Sequence, residues 1–409
     1  MKLSISNSRM ISWILWVFAS LFYAYQYILR VMPNIMLDDI MQKFNISTAA
    51  FGQFSGIYYI GYSLMHLPIG ILLDRYGPKK VIPSCILLTV VGLMPLIMAD
   101  YWVYPILGRL LIGIGSSAAI LGVFKIIRMT FDEKLFPRML SLSVTIGLIG
   151  AIYGGGPVSY MRDTLGYDIV LKLLALMGLI LAIVTYWIVP SVKKRSEETV
   201  ISNVMEVLSN KKVVLSCIFA GLMVGPLEGF ADVWGTVFLN RLYKFDGTLA
   251  ASLPSMIFIG MCFGSPILSF IADKAKSYLG TIIVSGIIMA SGFFLILTQM
   301  LSITFISFNF VLIGVCCAYQ ILAIYKISTF VREEVVGLTT AVANMIIMIF
   351  GYIFHAIIGL IINSLGGTDK PDALFYGISI IPIALFVGTI GFSILFILER
   401  KTNKIFNLK

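Results

Sequence analysis

Apolar runs of about twenty residues alternate with short polar stretches along the whole chain. A membrane-spanning helix needs roughly 20 mainly apolar residues, because each residue advances ~1.5 Å through ~30 Å of hydrocarbon. Such runs fall at about 11–36, 51–73, 81–99, 103–126, 138–161 and 168–190. Six more follow at about 213–240, 250–272, 279–299, 303–326, 335–362 and 374–398. The pattern predicts an all-α membrane protein with 12 transmembrane helices in two six-helix bundles, 1–190 and 213–409, joined by a polar linker, 191–212. The first run follows MKLSISNSRM, whose Lys2 and Arg9 resemble a signal-peptide start. The run is long and no small-x-small site ends it, so it is predicted to be a retained span.

The second half repeats the first. Residues 111–127 and 312–328 share seven of 17 positions at an offset of 201, including Gly113/Gly314 and Lys125/Lys326. Identities among Ile and Leu are cheap in apolar sequence; the glycine and the lysine are not. Spans four and ten therefore correspond, and the two bundles are predicted to be pseudo-symmetric. Repeats of this kind, with a site near mid-membrane between them, are a transporter architecture.

Composition agrees. Hydrophobic residues make up 59% and charged residues 12%, where a soluble domain carries about 25% charge. A net charge of +10 could suggest nucleic acid, but its distribution excludes that partner. With the N-terminus inside, 22 of the 30 Lys and Arg fall on the inner side. Six fall outside: Lys43, Arg162, Lys172, Arg241, Lys244 and Lys370. Arg30 and Arg109 lie within spans. The bias predicts both termini and the linker in the cytoplasm, with the plasma (inner) membrane of a bacterium as the expected location and a monomer in contact with membrane lipids. Five cysteines lie within apolar runs without CxxC spacing, and His66 and His355 have no ligand companions, so no metal or cofactor is implied.

The loop after span two reads Gly70-Ile-Leu-Leu-Asp74-Arg75-Tyr-Gly77-Pro-Lys79-Lys80. This matches G-x-x-x-D-R-x-G-x-[RK]-[RK] at every fixed position, and here the chain resembles the major facilitator superfamily. Span four opens with Arg109-Leu-Leu-Ile-Gly113-Ile-Gly115, similar to that family's R-x-x-x-G-x-G. The resemblance implies a secondary transporter, with Gly70, Asp74, Arg75, Gly77, Lys79 and Lys80 as a gate that latches the halves. Gly70 is expected to let two helices approach closely. Asp74 is expected at the N-terminus of a neighbouring helix. The matching loop of the second half keeps only Gly264, Pro266, Asp273 and Lys274.

An arginine inside a span is expensive and faces a partner, a cavity or the headgroups. Arg109 admits gating, proton coupling or snorkelling. In span five Gly147, Gly150, Gly154, Gly155, Gly156 and Pro157 depart from the exporter pattern of the family, and their spacing reads as close helix packing. In span one Tyr23, Gln26, Tyr27 and Arg30 share one face. In span seven Glu228 and Asp232 stand one turn apart, and the 201-residue offset aligns Arg30 with Ala231. Arg30 and the two carboxylates are therefore expected to meet in one cavity, either binding and coupling or bracing the halves. Asp232 is the first candidate for proton coupling and Glu228 the second. Tyr319 and Gln320 replace Ala118 and Ala119 of the first half, which marks either a substrate-facing break of symmetry or a space-filling one.

The function that follows is secondary active transport of a small polar solute by alternating access, with proton-coupled uptake of an amino acid or short peptide in front. Arg30 would take the carboxylate of such a zwitterion, and Glu228 or Asp232 its amine. An organic-anion or phosphate-ester carrier and a drug or metabolite exporter are the alternatives, and a transporter-like sensor or adaptor the non-transport one. The chain lacks paired histidine, G-x-S-x-G and P-loop motifs, so an enzyme is not expected.

Overall fold

The computed structural model describes residues 8–191, 200–332 and 335–406; Lys2 and linker positions 192–199 lie outside the described residues. Every regular element among them is helical. Twelve helices are long and apolar enough to cross a membrane. They are spans one to six, Met10–Ile35, Thr48–Tyr76, Pro78–Met98, Val103–Thr130, Arg138–Leu165 and Tyr167–Ile188. Spans seven to twelve are Lys211–Leu242, Gly247–Ala275, Tyr278–Leu297, Ile303–Ser328, Val336–Ser364 and Pro371–Arg400. A helix closes every backbone hydrogen bond within itself, which hydrocarbon demands of any spanning segment. Part of the polar linker is also helical, over Val200–Ser209.

The chain forms two compact units. The first comprises Met1–Ile46 and Ile57–Glu198, the second Ser47–Gly56 and Thr199–Lys409. Span two is thus divided: its first turns pack with the second unit, where Gly52 lies against His355, Gly359 and Trp234.

Within the first unit, span one is tied to its neighbours by polar contacts buried in apolar surroundings. Trp16 donates to Ser143 at 2.7 Å, and Tyr25 donates to the Leu174 carbonyl at 3.0 Å. Span five fits closely because its glycines face span one: Gly147 lies under the Tyr23 ring, Gly150 on Ala24 and Gly154 on Ile28. Small residues let helix backbones touch where lipid offers no hydrophobic drive.

The internal repeat extends to geometry. Span four breaks at Ser117 and span ten at Ala318, 201 residues on. A side chain on Gly113 would collide with the Tyr58 carbonyl of span two, and one on Gly314 with the Ile257 carbonyl of span eight. The same crossing is built twice.

Candidate functional site

Span one contains Pro33, which has no N–H for the Leu29 carbonyl four residues before it. Hydrocarbon offers that oxygen no water, so another donor must come. Arg109 of span four supplies it: Nη1 donates to Leu29 O at 2.6 Å and Nη2 to Arg30 O at 2.8 Å. Arg109 is 1% exposed and its guanidinium stands 4.9 Å from the Tyr58 ring centre. It does not snorkel: its charge is spent on the backbone of span one, where its fork matches two successive carbonyls.

Around this clamp the first unit gathers its polar side chains. Tyr58 donates to Gln26 Oε1 at 2.6 Å. Tyr23 and Tyr27 meet edge to face at 5.2 Å. Arg30 is 7% exposed and lies over two rings, 4.9 Å from Tyr27 and 5.4 Å from Tyr59. The two rings hold the Arg30 side chain in an aromatic setting, and its guanidinium has the forked geometry that suits an anion. Tyr23, Gln26, Tyr27 and Arg30 are thus brought together, and Arg109 fixes the backbone that carries Arg30. Asn34, one turn beyond Arg30, is buried with Oδ1 unpartnered. Sequence reading missed it; its place on the Tyr27–Arg30 stripe was the available signal.

The second unit carries the carboxylates. Glu228 and Asp232 are 7% and 1% exposed. Between them span seven changes winding, α-helical to Gly229 and π-helical over Phe230–Trp234, with the Gly235 N–H reaching the Phe230 carbonyl. Asp232, expected one turn from Glu228, thus lies in the wider i→i+5 winding of the π turn. Such turns occur at functional sites more than elsewhere. Trp234 pins the segment by donating to the His355 carbonyl at 3.3 Å. Tyr319 is fully buried and donates to the Ala220 carbonyl at 2.7 Å; the neighbouring Gln320 is half-buried.

The motif after span two is built differently from expectation in two respects. Asp74 is met by Lys125 of span four at 2.6 Å, with the carboxylate 70% exposed. A side chain added at Gly70 would find only Leu121, at ordinary contact distance, so Gly70 is not a close approach of helices; the tight crossing lies higher, at Gly113. Gly77 has φ +79° and starts span three with Pro78 behind it, a backbone that favours glycine. Arg75 lies over Tyr76 and Lys79 over Tyr186; Lys80 is exposed. Among the described residues no group of three His, Cys, Asp or Glu could hold a metal.

The family model of the Major Facilitator Superfamily matches residues 15–354. The chain belongs to this superfamily. It is a membrane transporter, not an enzyme, with a small-molecule substrate and a lipid environment. A bacterial homologue of the human lysosomal transporter Spinster, solved inward-facing and occupied, superposes with TM-score 0.75 at 16% identity, over 96% of this chain and 97% of that one. The nucleoside transporter NupG gives 0.76 at 15%, over 92% and 100%. A Pseudomonas putida protein named for metabolite transport, NicT, is 23% identical over 193 residues, 44% of this chain. The match spans 43% of that relative, less than half its length. At these identities the structures share the fold alone.

Proposed function

We propose that this superfamily member takes up an amino acid or short peptide by alternating access, driven by protons. The observation that carries the reading is Arg30, buried among Tyr27 and Tyr59 on a backbone clamped by Arg109. An immobilised guanidinium matches a carboxylate in two parallel hydrogen bonds. The buried Glu228 and Asp232 of span seven offer an acceptor for an amine and a carrier for the proton, and the π turn beside Asp232 supplies a segment able to rewind. Bundles 1–190 and 213–409 are the moving bodies, linker 191–212 joins them, and the motif from Gly70 to Lys80 is the inner latch. Tyr319 and Gln320 belong to the substrate side of the second bundle.

Proteoliposomes test this. Uptake of labelled dipeptides and amino acids should follow an inward proton gradient. Asp232→Asn, and to a lesser degree Glu228→Gln, should lose accumulation and keep exchange. Normal accumulation by both variants, or unchanged substrate affinity in Arg30→Ala, overturns the reading. The buried cations Arg30 and Arg109 also favour a second reading, an organic-anion carrier, for which uptake would need no amine on the solute. Orientation has its own test: reporters fused after Ser196 and Lys409 should signal from the cytoplasm, consistent with the plasma membrane of a bacterium.

A further inference from the structure

The linker helix Val200–Ser209 is fastened where span seven begins. Asn210 follows it directly and caps span seven, its Oδ1 accepting from the Lys212 N–H at 3.1 Å and the Val213 N–H at 3.4 Å. The same side chain donates through Nδ2 to the Phe330 carbonyl at the end of span ten, 3.0 Å away. Arg332, between spans ten and eleven, grips Glu206 in two parallel bonds, Nε to Oε1 at 2.9 Å and Nη2 to Oε2 at 2.6 Å. Val207 is fully buried. These ties hold the helix at the level where span seven enters the membrane. Yet Met205 and Leu208, three residues apart on one face, are left 62% and 44% exposed. A helix lying in water keeps such a face inward. Lys211 and Lys212 follow, both exposed, and neither pairs with a carboxylate among the described residues. They stand in the first turn of span seven, where the helix dipole disfavours cations unless anions answer them.

We propose that the linker helix is an interfacial anchor for a bilayer containing anionic lipid. Met205 and Leu208 enter the boundary between headgroups and acyl chains, and Lys211 and Lys212 bind the lipid phosphates. An amphipathic helix in the plane of the interface buries its apolar face this way, and basic residues beside it draw it to anionic lipid. Two observations choose the bilayer as occupant of this face. The first is continuity: Leu215, one turn into span seven, is also exposed, so the lipid-facing surface begins within a turn of the lysines. The second is charge: the two unpaired lysines stand between the exposed apolar pair and the span, at the depth of the phosphates. The polar grip of Arg332 on Glu206 then fixes the helix to the second unit, while its apolar face fixes that unit to the membrane surface. The anchor is independent of which solute is carried.

The test uses full-length protein in vesicles of phosphatidylcholine, alone or mixed with phosphatidylglycerol. A nitroxide is placed at Leu208→Cys, with the half-buried Cys262 changed to serine; the other four cysteines are buried. The label should be relaxed by oxygen dissolved in the lipid and shielded from a water-soluble nickel complex. Free access of the nickel complex overturns the proposal, because the face then lies in water. Shielding from both agents overturns it too, because protein, whether a second copy or another segment of this chain, then covers the face. Hydrogen exchange of the unlabelled protein over residues 200–209 reads the lysines. It should slow several-fold when phosphatidylglycerol is added, and Lys211→Gln/Lys212→Gln should abolish that slowing. Equal exchange in the two lipids, or slowing that survives the double variant, overturns the anionic headgroup as the partner of the lysines. Both lysines are exposed, so the double variant is expected to fold, and unchanged exchange over the spans checks that it does.

Discussion

At Pro33 span one loses a backbone donor; 201 residues on, span seven has Trp234 and keeps it. The two repeat-related helices are irregular at the same place for different reasons. In span one the Leu29 carbonyl is rescued by Arg109 from span four. The positions matching Leu29 and Arg109 are Phe230 and Phe310, which meet ring to ring at 5.5 Å. There the helix takes a π turn and bonds Gly235 back to Phe230 within itself. One unit repairs its backbone with a charge from outside the helix, the other by rewinding. The first solution places a guanidinium beside the helix; the second has the Phe310 ring there and carries Asp232 in the wound segment.

The largest expected effect tests the charged repair. Arg109→Leu strands two carbonyls and should cost roughly 2–6 kcal/mol, about 1–3 for each, read as loss of denaturation midpoint in detergent. Pro33→Ala returns the N–H to Leu29, so the double variant should regain ~1–3 kcal/mol of that loss. A double variant no more stable than Arg109→Leu alone would show that the clamp does not answer to the proline.

What the halves share comes next. Gly113→Ala and Gly314→Ala each drive a methyl into a backbone carbonyl and should cost ~1–3 kcal/mol apiece, by similar amounts. A large cost at one and none at the other would break the equivalence of the two crossings.

A smaller effect belongs to the loops. Gly77 at φ +79° corresponds to Lys276 at φ +50°, a left-handed residue with a side chain. Gly77→Ala should lose ~1 kcal/mol and Lys276→Gly gain about 0.5 kcal/mol in the same unfolding assay. A stabilising Gly77→Ala would deny the strain assigned to that turn.

The smallest effect on stability concerns the repeated lysine. Lys125 pairs with Asp74 at 2.6 Å and Lys326 with Glu399 at 2.8 Å, while Asp273, the counterpart of Asp74, accepts from Tyr278 at 2.8 Å. Both ion pairs are partly exposed, so Lys125→Met and Lys326→Met should each shift stability by less than ~1 kcal/mol. Transport should separate them: Asp74→Asn and Lys125→Met slow it strongly with normal expression, and Lys326→Met does not. Equal rates in all three would remove the latch role from the first-half motif.

Much of this was legible in the chain. The 12 spans follow from apolar length alone, and the shared break at Ser117 and Ala318 was announced by the repeat around Gly113 and Gly314. The stripe Tyr23–Gln26–Tyr27–Arg30 was readable because helical spacing puts those residues on one face. Asn34 was passed over because a lone polar residue in an apolar run carries no sign of whether its hydrogen bonds are met. The π turn at Asp232 was not legible, because it depends on packing such as Trp234 against span eleven.

By itself the sequence determined the number of spans, the two-fold repeat, the charge bias of the loops and the superfamily motif, since each is a matter of local composition or spacing along one chain. Only the tertiary structure decided which carbonyl Arg109 serves, that Asp74 meets Lys125, that Gly70 is not a tight crossing and that Ser47–Gly56 packs with the second unit. Those outcomes depend on which side chains of distant spans arrive at the same depth. Where no water can satisfy a backbone group, the nearest donor from another helix takes the bond, and its identity cannot be read from the helix that lacks it.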